Sequence, residues 1–285
     1  MTGAGAPPFD LRTLRDSFAT LTSGTRMPVL GLGVFQTPPG AVTRRAVEAA
    51  LEVGYRHIDT ARLYRNEADV GAAVRASNVP REALFVTTKL WNDEHGFDAA
   101  LAGFDRSLST LGLDYVDLYL IHWPATTLRA ETWRALERIH RDGRARAIGV
   151  SNFTIRHIEE LLARAEIVPA VNQVEFHPFL FQRELLAYCQ AHGIQLEAYS
   201  PLTRGRRLDD PTLGRIAAAH DVDVARVMIR WGLQHRIVEI PKSVDPGRIR
   251  SNAGVFDLTL SAAEMATIDG LDAGSRITTD PATMP

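Results

Sequence analysis

The feature that most limits the folds open to this chain is an alternation that repeats eight times from Val29 onward. Apolar runs of strand length, VLGLGV, YRHID, LFVTTK, YVDLYLI, ARAIGV, AVNQVE, IQLEAYS and IVEIP, are each followed by a loop or a loop and a helical pattern. In GAVTRRAVEAALEVG, Val42, Ala46, Ala49 and Val53 fall on one helical face and Arg44, Arg45, Glu48 and Glu52 lie elsewhere. Phe97, Leu101, Phe104, Leu108 and Leu111 mark a second helix closed by Gly112, and Trp133, Leu136 and Ile139 a third stopped by Gly143. Further helices run through Ile158 and Leu161, Leu185, Ile216 and Met228. Eight strand-and-helix units predict an α/β chain folded as a (β/α)8 TIM barrel. A doubly wound sheet also alternates, but it needs a glycine-rich turn opening a helix. Gly31-Leu32-Gly33 has no third glycine at the required offset and runs into Thr37-Pro38-Pro39. Ahead of the barrel, FATLTSGTRMPVLGLGVF reads as an N-terminal β-hairpin turning at Ser23-Gly24. A C-terminal extra helix through Met265 and Ile268 has no place in the eightfold count and is expected to cover one end.

Residues 1–17 read as a loose N-terminal extension and 18–285 as one barrel domain. A net charge of -2 provides no field for a phosphate backbone, so nucleic acid is not an expected partner. The single cysteine, Cys189, cannot form an internal disulfide, which favours a cytoplasmic protein; its helical context predicts a packed thiol. No run approaches the ~20 apolar residues of a membrane helix. No exposed apolar stripe asks for a protein partner, so a monomer is expected.

Polar residues collect at the C-terminal ends of the strands: Asp59, Lys89, His122, Ser151 with Asn152, Gln173, Tyr199 with Ser200, and Lys242. In a barrel these ends open on one face, where active sites lie. A lysine closing an apolar strand must be paired or lose its proton, and Asp59 is the obvious partner. Tyr64 sits in the loop after Asp59. A lysine cation beside it would favour the phenolate and draw the hydroxyl down from its usual ~10, making a general acid for a carbonyl oxygen. His122 could hydrogen-bond the same oxygen.

GYRHIDTARLYRNE, TTKLWND, YLIHWP, GVSNF, VNQVEFHP, AYSPL and IPKSV followed by Arg248 resemble, in order and spacing, the aldo-keto reductase family, with its bacterial diketogluconate-reductase-like members the most similar. The resemblance implies a barrel that binds NADPH across its open face and reduces a small-molecule carbonyl substrate. It makes Tyr64 the proton donor, Lys89 and Asp59 its tuners and His122 the group that orients the carbonyl. Ser151, Asn152 and Gln173 would hold the carboxamide, Tyr199 would stack on the nicotinamide, and Ser200 and Leu202 would line the pyrophosphate. Lys242, Ser243, Val244, Arg248 and Asn252 would bind the adenosine end. Two cations and a hydroxyl also suit a 2′-phosphate dianion on chemistry alone. Phe35, Trp91 and Trp123 match substrate-pocket positions.

There are departures. Ser251 stands where the family usually has an acid beside the adenine, and Asp245 adds a negative charge close to the 2′-phosphate site. The segment between Pro124 and Trp133 is short, as is the tail after Leu271. Two rival readings remain open. One is a metal-dependent hydrolase using His57, Asp59, Lys89, His122 and His177; the other is an NADPH-binding sensor without turnover. His57, His177 and His192 also suit purely structural roles.

Overall fold

A computed structural model describes residues 9–285. Eight parallel strands form one sheet: β3 (Leu32–Gly33), β4 (His57–Asp59), β5 (Phe85–Leu90), β6 (Val116–Ile121), β7 (Ala145–Ser151), β8 (Val171–Glu175), β9 (Gln195–Tyr199) and β10 (Val238–Glu239). Each pairs with its sequence neighbour, and parallel bridges from Leu30 to Glu239 and from Gly33 to Lys242 join first to last. The alternation is thus realised as a closed (β/α)8 barrel.

The Gly31-Leu32-Gly33 run that fails as a dinucleotide fingerprint has its physical reason at this closing seam. A Cβ on Gly33 would stand 2.8 Å from the carbonyl oxygen of Ile240, and one on Gly31 would stand 2.7 Å from His57 Nδ1. Only glycine lets β3 come close enough for Gly31 N to reach Glu239 O at 2.8 Å.

The helices are α1 (Ala41–Val53), α2 (Glu67–Ala76), α3 (Phe97–Leu111), α4 (Arg129–Arg141), α5 (Ile155–Leu162), α6 (Arg183–Ala191), α7 (Pro211–Ala219), α8 (Val224–Gln234), α9 (Pro246–Ala253) and α10 (Ala262–Asp269). Gly112 closes α3 in a left-handed conformation, and the expected stripe of Phe104, Leu108 and Leu111 is buried. On α1 the buried face is turned by about one position from the expected one. Thr43, Ala46, Val47, Ala50 and Leu51 are buried, while Val42, Ala49 and Val53 are only half-buried. The shift follows from α1 packing on α2 and α9, and Thr43 is satisfied there by donating to Pro38 O. Neither α2 nor α9 was legible as a separate helix. The first is built largely of alanine and glycine, and the second buries only Ile249 and Asn252.

The N-terminal hairpin pairs β1 (Phe18–Thr20) with β2 (Arg26–Pro28) around Gly24, whose φ is +80°. Of the segment expected to be a loose extension, residues 1–8 lie outside the described residues. Phe9, Leu11 and Leu14 pack against the core, and Ser17 is buried. The C-terminal helix does not lie across an end of the barrel, as expected, but flanks α7 and α8. Asp269 accepts from Trp231 Nε1 at 2.7 Å, and His220 meets Glu264 at 2.8 Å. Two polar anchors on the outer helices hold it there. Burial pushes the Cys189 thiol up to about 12, consistent with a packed core residue.

Candidate active site

At the open end of the barrel, β4, β5 and the loop after β4 bring three side chains to one point. Lys89 has no solvent exposure; its Nζ donates to Asp59 Oδ1 at 2.6 Å, Asp59 Oδ2 at 2.8 Å and Thr60 O at 2.9 Å. The same nitrogen reaches the Tyr64 hydroxyl at 3.3 Å. Tyr64 ends a single helical turn, Arg62–Tyr64, that carries it back over the strand end. His122, the first residue after β6, packs its ring edge-on to Tyr64 at 5.7 Å and to Trp91 at 5.2 Å. Burial and the Lys89 charge push His122 well below the usual histidine range, so it is neutral, and its Nδ1 is buried without a partner among the described residues.

The expected downward shift of the Tyr64 hydroxyl is not found. Burial, with Asp59 and Glu197 behind it, pushes it well above the ordinary tyrosine value. Desolvation of a phenolate outweighs one cation whose charge Asp59 already neutralises.

Beneath these groups, Gln173 Nε2 is shared between Asp59 Oδ2 and Glu197 Oε2, each at 2.8 Å. Ser151 donates to Gln173 O at 2.8 Å, and Asn152 donates to His122 O at 3.0 Å and to Ser151 Oγ at 3.1 Å. Asn152 holds a left-handed φ of 65°, a conformation asparagine tolerates. The Tyr199 hydroxyl donates to Asn152 Oδ1 at 2.7 Å and meets Thr278 Oγ1 at 3.0 Å, which fixes its ring in the wall.

A cleft of about 1470 Å³ runs over this floor. One end is walled by Phe35, Trp91 and Trp123, with Tyr64 and His122 at their foot; the cleft passes Tyr199, Ser200 and Leu202 and ends at Lys242, Ser243, Val244, Arg248 and Asn252. Among the described residues neither Lys242 nor Arg248 is in a salt bridge, so two exposed cations stand free at that end. Ser251 donates to Asp223, the N-cap of α8, so a carboxylate stands beside the serine after all. Asp245 is spent on capping α9, accepting from Arg248 N at 2.9 Å. A long cleft lined by an aromatic ring and by cations has the dimensions and donor groups to hold a nicotinamide dinucleotide.

The histidines of the metal reading do not converge. His57 lies 3.3 Å from Pro28 O, and His177 pairs with Glu175 at 3.1 Å. Among the described residues no group of three or more His, Cys, Asp or Glu side chains is placed to hold an ion. His192, on the surface, meets Tyr188 O at 2.8 Å. No helix of the described residues is long and apolar enough to cross a membrane.

The sequence profile of the Aldo/keto reductase family matches residues 29–273. The chain belongs to the aldo/keto reductase family. It is 51% identical over 269 residues to the glyoxal reductase of Bacillus subtilis, covering 94% of this chain and 97% of that protein. It is 50% identical over 276 residues to the morphine 6-dehydrogenase of Pseudomonas putida, covering 92% and 93%. Among solved structures, MGS-M4, an aldo-keto reductase from a Medee basin deep-sea metagenome library, superposes with a TM-score of 0.91 at 45% identity, covering 94% of this chain and 99% of that one. Family and fold together make this chain an oxidoreductase of carbonyl groups that works with a nicotinamide cofactor.

One part of this aldo/keto reductase site had no motif to announce it. Ile277, Thr278, Thr279 and Met284 of the short tail return to line the cleft. Glu175 holds the first two, accepting from Ile277 N at 2.6 Å, Thr278 N at 2.9 Å and Thr278 Oγ1 at 2.5 Å. An acid at a strand end beside a histidine, in VNQVEFHP, was the available signal. Burial pushes the Glu175 carboxyl up, but His177, Thr278 and the two backbone N–H groups together carry it down to about 2. A carboxyl depressed on folding stabilises above its ordinary range and loses that contribution as pH falls toward the folded value. The parent protein is therefore expected to lose thermal stability between about pH 4.5 and 2 more steeply than Glu175→Gln. Melting curves of the two across that range measure it.

Proposed function

We propose that this chain reduces aldehydes and ketones to alcohols with NADPH, and that Tyr64 gives the proton. The observation that carries the reading is the Lys89 nitrogen lying against both Asp59 and the Tyr64 hydroxyl at the foot of the cleft. A phenol pushed upward keeps its proton at neutral pH, as a donor must. When the proton leaves, the phenolate forms 3.3 Å from a cation already held in place, so stabilisation arises only as the charge develops. Neutral His122 offers the carbonyl oxygen a hydrogen bond without adding a charge. The nicotinamide, when bound, supplies the hydride. Ser151, Asn152 and Gln173 would hold its carboxamide, Tyr199 its ring, Ser200 and Leu202 the pyrophosphate, and Lys242, Ser243, Val244, Arg248 and Asn252 the adenosine end.

Phe35, Trp91 and Trp123 form an aromatic wall for a small carbonyl compound, and activated aldehydes and dicarbonyls are the first substrates to try. The name of the Bacillus relative points the same way. The likeness of motifs to diketogluconate-reductase-like members remains a proposal of lineage and names no substrate. A cytoplasmic monomer is part of the same reading, supported by a lone buried cysteine.

The test is NADPH oxidation across a carbonyl panel together with cofactor binding by protein fluorescence. Arg248→Ala is expected to weaken NADPH binding about tenfold, the usual size of one charge-assisted contact, and to leave NADH binding nearly unchanged. Equal losses for both cofactors would remove Arg248 from the 2′-phosphate. Tight binding with no turnover on any carbonyl would favour the sensor.

A further inference from the structure

Glu197, on β9, has no part in the chemistry above, yet it lies under the site with no solvent exposure. Every group facing it belongs to the barrel interior: His57 and Asp59 from β4, Lys89 from β5, Gln173 from β8, Glu239 from β10, and Tyr64 above. Its two oxygens have different surroundings. Oε2 accepts from Gln173 Nε2 at 2.8 Å, while Oε1, buried with no hydrogen-bond partner among the described residues, lies 3.4 Å from His57 Nε2.

The histidine decides what that second contact is. His57 Nδ1 lies 3.3 Å from Pro28 O, a carbonyl that can only accept, so the ring proton belongs on Nδ1. Nε2 of the neutral ring is then a lone pair. It faces Glu197 Oε1, and also Thr87 Oγ1 at 3.3 Å. The Thr87 hydroxyl can donate to that lone pair, but Oε1 still faces it as an acceptor with no donor of its own, and two acceptors so placed repel; a proton on Oε1 turns the contact into a hydrogen bond.

We propose that Glu197 is a positioning residue held as the neutral acid: Oε1–H donates to His57 Nε2, Oε2 accepts from Gln173, and Asp59 is left as the single charged carboxylate behind Lys89 and Tyr64. The chain Pro28–His57–Glu197–Gln173–Asp59–Lys89–Tyr64 then has a donor for every acceptor. With Nε2 occupied on both sides, the Gln173 amide cannot flip, and its oxygen is the atom left over. Burial and Asp59 push the Glu197 carboxyl up to about 8 against the pull of Gln173 and Lys89, and burial holds His57 down to about 3. The alternative, a doubly protonated His57 with ionised Glu197, would bury a second ion pair beside the first.

Two measurements test this, and only one rests on the proposed reductase activity. Infrared spectra of the whole protein at neutral pH, parent minus Glu197→Gln, are expected to show loss of a protonated-carboxyl band; Glu239 is common to both and cancels. Loss of a carboxylate band instead would overturn the proposal in favour of the ion pair. In turnover, ionisation of Glu197 above about pH 8 puts a second negative charge behind Tyr64 and weakens the phenolate's support. The parent's kcat/KM is expected to fall there, and Glu197→Gln, which copies the neutral acid's donor and acceptor, to carry the plateau higher. Glu197→Leu, which strands one Gln173 hydrogen, is expected to lower kcat/KM about tenfold at neutral pH, with Glu197→Gln recovering most of that loss. An alkaline limb unchanged in Glu197→Gln would overturn the positioning role. A parent with no carbonyl reduction would sink the reductase reading, and the infrared difference would still decide the state of Glu197.

Discussion

Tyr64→Phe is expected to lower kcat for carbonyl reduction by about 10²- to 10⁴-fold, the range a positioned general acid contributes, with NADPH binding retained. The substitution removes one oxygen and keeps the ring, which packs 5.0 Å from Phe35 and beneath the cleft. Neither the cleft wall nor the Lys89–Asp59 pair loses a partner on which folding depends. Stopped-flow measurement of cofactor oxidation separates the chemical step from binding. A variant that turns over at the parent's rate would show that the proton comes from another group, with His122 next in line.

The second large effect concerns folding as well as rate. Lys89→Met is expected to destabilise the protein by about 3–5 kcal/mol near neutral pH, the cost of breaking a buried ion pair from one side. It leaves Asp59 with Gln173 Nε2 as its remaining donor. Burial pushes the Asp59 carboxyl up and Lys89 pulls it back, so without Lys89 it takes up a proton on folding. A carboxyl raised on folding favours the folded state at low pH and loses that contribution as pH rises through the folded value. The deficit against the parent should therefore widen as pH rises above the ordinary carboxylate range in urea titrations. A constant deficit would mean that Asp59 stays ionised on its remaining contacts.

What could be read along the chain and what could not divide at the range of the interactions. Asp59, Tyr64, Lys89 and His122 were assigned together because each closes or follows a strand, and strand ends of a parallel barrel share a face. Their meeting around one nitrogen follows directly. The charge balance there did not, since the rise of the Tyr64 hydroxyl comes first from its burial in the closed barrel, then from Asp59, with Glu197, from a strand 138 positions later, adding the least. Glu197 had been given no role; its signal was an acid between Leu196 and Ala198 in an apolar strand, which on burial needs a partner or a proton. The face of α1 was misjudged because α2, too small in its side chains to show a stripe, packs against it.

By itself the sequence determined the eightfold alternation, the hairpin before it and the identity of the polar residues on the open face. All of these follow from periodicity and residue size, which act over a few positions. Only the tertiary structure decided that Gln173 bridges two acids, that Asp223 stands beside Ser251, and that the tail returns to Glu175 and Tyr199. These contacts join segments that are neighbours only because the barrel closes, and closure is set by every strand at once.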